Sequence, residues 1–463
     1  MLSAFDLGAL SIGAIIGAGI FNMTGTAAAQ YAGPAVVLSF ALASAGVLLV
    51  GLCYAEFASM YPVPGGPYAY GRASLGPLAG WLIGWAVILE YLFGAAGVAV
   101  AWSGYVSAFL GPAGLALPAA LNGAPFSGDA AWHASRVPGA VLNLPAMVLL
   151  LAVTAIVAAG AKRTSNVNRA LVVLKIGLIL VILGAGALYV NRENWQPFVP
   201  PNGGSFGRFG WSGVVRGASA VSLALIGFDV LAPLGGEAQR PERDLPRAIL
   251  WSVGICAILY ILMALVLTGL TRYPELNAPH PAYAALFAAS PRLEWLGILI
   301  GIATVVGLMT VALAMLIALP RLLLAMSRDG LLPRSLSAVH PKTRVPHVAI
   351  IAGGAVAAVV AGFFPIDVLG DLIIVTTLLA FVAVCACLMV LRFRQPNVKR
   401  PFRTPLVPLV PLLGIVASSV MLWSVPADTW IQLAVWIVIG LAIYAAYGAR
   451  RNDRVVSEVV SSD

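Results

Sequence analysis

The chain has 463 residues, 60% of them hydrophobic and only 10% charged, with a formal net charge of +9. That apolar content is far above what a soluble globular domain carries, so a soluble domain is excluded and a polytopic membrane protein is indicated. The positive charge is a matter of topology and not of nucleic-acid binding, as its distribution along the chain shows below.

Twelve apolar stretches of ~20 residues can each span a bilayer. They lie at about 5–31, 34–60, 78–110, 140–161, 167–190, 211–235, 247–271, 294–326, 346–364, 367–391, 405–424 and 428–449. The first has no cleavage signature and is not read as a signal peptide. It contains Gly13-Ala-Ile-Ile-Gly17-Ala-Gly19-Ile-Phe21, three glycines inside an otherwise aliphatic run. In hydrocarbon a broken helix is tolerated only where its freed backbone groups face protein or a watery cavity. A break here would present the amides near Ala18, Gly19 and Ile20 to an anion and the carbonyls of Gly13 to Ile16 to a cation. A ligand carrying both charges would suit it. The plainer alternative is an unbroken helix whose small residues pack closely on neighbours.

The second span ends near Glu56, which has a structural reading: it pairs with Arg72 or caps the following loop. That loop, Pro62 to Tyr70, is too rich in Pro and Gly to be helical and reads as a tight turn. In the third span Glu90 lies twelve residues in from Leu78, ~18 Å along a helix. It is either a functional carboxyl or a hydrogen-bonded tie between helices. The outer loop from Gly111 to Pro138, with His133, shows no chemistry. The fifth span has a single ionisable residue, Lys175, roughly two and a half turns inside. It either snorkels to the interface or stays buried as an ammonium open to reversible protonation.

The sixth span repeats the logic of the first. Leu223-Ala-Leu-Ile-Gly227-Phe-Asp229, then Pro233 and Gly235-Gly236, gather helix breakers and an acid where a helix should be regular. Asp229 has two roles open to it, capping the unwound segment or touching substrate. Two interrupted spans at corresponding places in two halves point to an inverted-repeat transporter with a midplane site. The seventh helix is expected to start at Pro246. His340 and His347 read as solvated loop residues, and spans eleven and twelve as accessory or oligomer-contact helices. The four cysteines, 53, 256, 385 and 387, all fall inside spans, which argues against a disulfide framework or a metal site.

With the amino terminus placed in the cytoplasm, twenty Lys and Arg fall in inner loops. Only five, Arg136, Arg192, Arg208, Arg272 and Arg292, fall in outer ones. The positive-inside rule then puts both termini, including the basic tail from Arg450, in the cytoplasm.

Five segments occur together and in order: GAIIGAGIF, PVPGGPYAY, WAVILEY with WSGY downstream, IGFD followed by EAQRPERDLPRAI, and AMSRDGLLP. On these the chain, from about residue 5 to 450, resembles the amino acid, polyamine and organocation superfamily, in the bacterial branch similar to cationic amino acid transporters. The resemblance implies an all-α membrane protein of the leucine-transporter type: twelve transmembrane helices, five plus five inverted, with helices 1 and 6 broken, then two more. The corresponding divisions are 1–190, 191–400, 401–449 and a tail at 450–463. It also implies alternating access with a rocking bundle of spans 1, 2, 6 and 7. The substrate carboxylate would meet the amides of Ala18 and Gly19, next to Gly17, and its amine the carbonyls of Ile15, Leu223, Ala224 and Ile226. Lys175 matches a lysine whose ammonium stands in the place of a sodium ion and couples transport to protons.

This chain has Ala18 where the family often has threonine, and Leu223 and Leu225 where it often has aromatics. Phe228 replaces the missing aromatic lid only in part. No acid is dedicated to a substrate side chain except, as one option, Glu90. Small or neutral-to-apolar amino acids are therefore expected over strictly cationic ones. The expected activity is proton-coupled amino acid symport across the inner membrane by a monomer or weak dimer, with no cofactor, no metal and no nucleic acid. Alternatives are an exchanger and, in another class, an amino-acid sensor. A sodium-driven carrier is disfavoured because span eight offers only the isolated hydroxyls Thr304 and Thr310. An enzyme is not expected, since no nucleophile lies beside a base.

Overall fold

Backbone groups in hydrocarbon must pair within their own segment, and a 60% hydrophobic chain accordingly folds almost wholly into helices. The computed structural model describes all residues except 111–113, 115–116, 128–134, 279–280, 424 and 449–463. His133 and the basic tail from Arg450 lie outside the described residues. In chain order the α-helices are α1 Ala4–Ile15, α2 Gly19–Ala27, α3 Val36–Met60, α4 Pro67–Leu75 and α5 Pro77–Leu110. Next come α6 Leu144–Ala158, α7 Ala161–Ala187, α8 Gly210–Ser222, α9 Pro241–Leu270 and α10 Pro281–Ala289. The last five are α11 Glu294–Arg328, α12 His347–Phe363, α13 Ile366–Arg394, α14 Leu409–Leu422 and α15 Ala427–Ile443. A two-residue hairpin, Phe126–Ser127 with Ser135–Arg136, lies in the loop between α5 and α6.

Among the described residues, eight helical stretches are long and apolar enough to cross a membrane, the first being the nearly continuous run Gly19–Met60. Four shorter apolar helices, α1, α6, α12 and α14, accompany them. The chain is thus a helical, multi-pass membrane protein. Three local expectations are corrected. Residues 67–75 form α4 rather than a turn, because Pro67 sits in the first helical turn, where its missing amide costs nothing. The seventh apolar span starts at Pro241, and Pro246 lies inside its first turns. Helix α10, between α9 and α11, has no counterpart among the expected spans.

Ion contacts gather at the end of the bundle that carries the basic loops. Glu56 does not pair with Arg72. Its Oε2 accepts from Arg392 Nη2 at 2.8 Å and from the Thr404 amide at 2.7 Å, and Arg400 Nε stands 3.2 Å from Oε1. Glu56 is fully buried and Arg400 nearly so, which pins α3 to α13 and the segment after it. Arg72 instead joins Asp329, which also accepts from Tyr68. Burial, reinforced by the Asp329 carboxylate, raises the Tyr68 hydroxyl above the ordinary tyrosine range and keeps it a donor. Arg321 of α11 pairs with Glu237 at 2.7 Å. Arg169 of α7 lies 3.7 Å from Asp6 of α1, a half-exposed contact worth under about 1 kcal/mol.

At the other edge α15 is fastened to α5 by tryptophans. Trp85 Nε1 donates to Trp436 O at 2.8 Å and Trp436 Nε1 returns a bond to Trp85 O at 2.9 Å, with the rings stacked 4.6 Å apart. All four cysteines are buried and free.

Glu56→Ala removes the carboxylate from one buried and one partly buried guanidinium group and is expected to cost about 3–5 kcal/mol. Thermal unfolding in detergent measures it; a loss below about 1 kcal/mol would mean the pair is solvated and not structural.

Candidate functional site

The first apolar span leaves the helix in mid-course. Ile16 is extended (φ −83°, ψ 101°), and the helix restarts at Gly19 with Ala18 as its N-cap. The amides entering α2 therefore have no partner within the helix, and the last carbonyls of α1 are likewise free for other donors. The sixth span behaves in kind. Helix α8 ends at Ser222, one tight turn covers Leu223–Leu225, Ile226 is extended (φ −74°, ψ 150°), and a 3-10 segment runs Phe228–Glu237.

Glycine sets how closely the two interruptions approach. Gly227 adopts φ 128°, which a side chain rarely accepts. A Cβ there would stand 2.9 Å from the carbonyl carbon and oxygen of Ala14. A Cβ on Gly19 would stand 2.9 Å from the Ala224 Cβ. Backbone thus packs directly on backbone where the helices are open.

Between them lies a cavity of about 270 Å³. Its walls include Ile15, Gly17, Ala18 and Gly19 from the first span, and Leu223, Ala224 and Ile226 from the sixth. Gly94, Gly97, Val98 and Ala101 of α5 line it too, with Leu308, Val311 and Met315 of α11 and Ile366, Gly370 and Ile373 of α13. Backbone supplies the polarity at one side and apolar side chains close the rest. No charged side chain lines it among the described residues.

Tyr260 of α9 is the one hydroxyl in this lining, and its Oη lies 2.8 Å from Ala224 O and 3.3 Å from Ile15 O. One buried phenol thereby bridges both interruptions. The chain's sequence hides this, because Tyr260 looks like an ordinary aromatic in an aliphatic span; a hydroxyl at mid-span was the only signal.

Lys175 does not line the cavity but grips α1 from behind. Its Nζ donates to Ile16 O at 2.7 Å, to Thr310 Oγ1 at 2.8 Å and to Gly13 O at 3.3 Å. The residue is 1% exposed, so it does not snorkel. All three ammonium hydrogens are thereby placed on oxygen, and none of these acceptors is a carboxylate. The Thr310 hydrogen has Gly307 O and Gly13 O within 2.7 and 2.9 Å. Thr310 is thus no isolated hydroxyl: it completes the socket for Lys175.

The remaining expected site residues lie elsewhere. Phe228 is fully buried between Tyr54 and Phe381, with ring centroids 5.3 and 5.2 Å away, and does not line the cavity. Asp229 accepts from Tyr91 Oη at 3.1 Å. Glu90 is buried beside Asp229 and Thr377, also outside the cavity lining.

Two interrupted helices facing each other over a small, mostly apolar cavity in a multi-pass bundle define the architecture of a solute transporter. The chain belongs to the amino acid permease family, within the amino acid, polyamine and organocation superfamily, the family profile matching residues 2–443. It is a transporter and not an enzyme. It is 40% identical over 455 residues, 97% of this chain and 94% of its relative, to a methylthioribose transporter of Bacillus subtilis. It is 39% identical over 452 residues, 97% and 93% of the two chains, to the branched-chain amino acid permease BcaP of the same organism. It is 35% identical over 396 residues, 86% and 60%, to cationic amino acid transporter 4 of Homo sapiens.

Tyr260→Phe removes the bridge while keeping the ring. Transport is expected to fall by about tenfold, the loss of one buried hydrogen bond shared between two carbonyls, with little change in thermal stability. Initial-rate uptake beside a melting curve checks this; unchanged uptake would show the hydroxyl to be incidental.

Proposed function

We propose that the chain imports neutral, apolar amino acids by proton-coupled symport, with the substrate held between the two interruptions. The observation that carries this reading is Lys175, a buried ammonium seated on the carbonyls that end α1, with no carboxylate among its hydrogen-bond partners. A lysine ammonium, unlike an arginine guanidinium, can give up its proton, so a proton there can be lost and regained within a transport cycle.

The substrate carboxylate would lie at the amides entering α2, near Gly17, Ala18 and Gly19, where the helix dipole favours an anion. The amine would meet carbonyls of the two breaks: Ile15, Leu223, Ala224 and Ile226. Ile15 O and Ala224 O already face Tyr260, so the phenol would share these acceptors with the ammonium of the substrate. Two lone pairs on each carbonyl allow both. The apolar walls supplied by Val98, Leu308, Val311 and Met315 suit an aliphatic side chain. They provide nothing to offset the desolvation of a second positive charge. Branched-chain amino acids, for which the BcaP relatives are named, have that chemistry.

In this account the protonated Lys175 holds α1 against α7 and α11, and the cytoplasmic side stays closed. Loss of the proton weakens three charge-assisted bonds at once and lets α1 swing away, releasing substrate inward. Asp6 with Arg169, and Glu237 with Arg321, would part in the same movement. Glu90 and Asp229 would form a buried polar support beneath the sixth-span break. The whole would be a five-plus-five inverted repeat followed by two accessory helices, in the cytoplasmic membrane with both termini inside. Leu2 pairs with the strand-like segment at Ala238, so the amino terminus and the basic loop after the sixth span share one end.

In proteoliposomes, an inward proton gradient should drive accumulation of leucine, isoleucine or valine, approaching about tenfold per pH unit for one proton each. Arginine should be a poor substrate. Lys175→Ala should abolish accumulation against a gradient; a variant that still concentrates substrate under a pH difference would sink the coupling role. Uptake that requires preloaded amino acid would instead identify an exchanger.

A further inference from the structure

Asn168 lies on the same face of α7 as Lys175, about two turns closer to the end that carries the basic loops. It is 1% exposed, yet neither its Oδ1 nor its Nδ2 has a hydrogen-bond partner among the described residues. A buried amide with no protein partner is costly in hydrocarbon and is satisfied in practice by water. Its surroundings place it on the path between the solvent and Lys175. A Cβ built on Gly13 would meet Asn168 Oδ1 at 3.0 Å, and the Gly13 carbonyl is itself a partner of Lys175 at 3.3 Å. One turn toward the basic end, Ser165 is buried beside Asp6, and both line a polar cavity of about 690 Å³. Lys162, Arg169, Glu237 and Arg344 also line that cavity.

Resting on the coupling role of Lys175 given above, we propose that Asn168 is the water-holding relay through which Lys175 releases its proton to the cytoplasm, along the seam between α1 and α7. Ser165 and Asp6 form the mouth. Asn168 orders water within the seam, and Val172, the buried residue between Asn168 and Lys175, keeps the passage narrow. The proton moves from the ammonium to water and out to the cytoplasm, leaving a neutral amine; the amine takes its next proton from the outer side after α1 has closed. No net chemistry occurs, and only water is needed as co-reactant. The groups facing Lys175 are Thr310 from α11, the Gly13 and Ile16 carbonyls from α1, and the buried Cys256 thiol from α9. At the mouth the charged groups are Asp6, Arg169, Lys162, Glu237 and Arg344. None of these lies between Asn168 and Lys175 on α7, which leaves the amide as the polar stepping stone of that face.

The test compares Asn168→Val with Asn168→Thr. The two side chains have nearly the same shape, both shorter than asparagine, and differ by a hydroxyl that can hold water. Proton-driven uptake is measured in proteoliposomes of the full chain, with substrate KM read separately from the maximal rate and with the solvent exchanged from H2O to D2O. The proposal expects Asn168→Val to lower the maximal rate by about tenfold at unchanged KM, with an enlarged D2O effect, and Asn168→Thr to stay within about twofold of the parent. Equal rates for the two variants, or a rate loss without a change in the D2O effect, would overturn it, since packing alone treats Val and Thr alike. If parental uptake ignores the proton gradient altogether, the coupling role of Lys175 fails instead, a result that the Val and Thr pair does not produce.

Discussion

The Lys175 ammonium on the carbonyls of Gly13 and Ile16 is the interaction on which the rest of the structure depends. A helix that stops in mid-membrane leaves carbonyls that hydrocarbon cannot satisfy, and these need a donor from elsewhere in the protein. Lysine supplies three hydrogens from a single side chain, and Thr310 accepts the third. In the proposed cycle the charge leaves as a proton, so the same bonds that complete α1 would also release it. A fixed arginine would complete the helix equally well and could not let go.

The second constraint is steric. The two interruptions meet at Gly19 and Gly227, where any side chain would collide with the facing segment, and Tyr260 spans the carbonyls on both sides. In the proposed mode of binding, a ligand entering between them contacts backbone at its charged end and aliphatic side chains elsewhere. Recognition of the amino acid backbone would thereby be separated from that of its side chain, and the side-chain walls could vary without disturbing the part that any amino acid shares.

Much of this was legible in the sequence, and the limits have physical causes. The glycines of the first span mark the break because glycine is out of place in a regular helix, and the chain does leave the helix at Ile16. Lys175 stood out because an ionisable group at that depth demands a reason. By contrast, Glu56 pairs with arginines more than 330 residues away in sequence, and no local pattern could choose them over nearby Arg72. Tyr260 and Asn168 were missed because neither a lone phenol nor a lone amide in a helical span breaks any periodicity. Their meaning lies in what they face. Phe228 was expected to replace the missing aromatic lid in part, but its ring packs between Tyr54 and Phe381, outside the cavity lining.

The most direct test of the central claim is a distance measured against pH. Spin labels at position 5, exposed at the start of α1, and at position 162, exposed at the start of α7, would report by pulsed electron resonance whether α1 stays docked. The account predicts one short distance at acidic pH, a growing population of longer distances as pH rises, and a pH-independent distribution once Lys175 is replaced by methionine. A distribution that ignores pH in the parent protein, or one that shifts identically without Lys175, would contradict it.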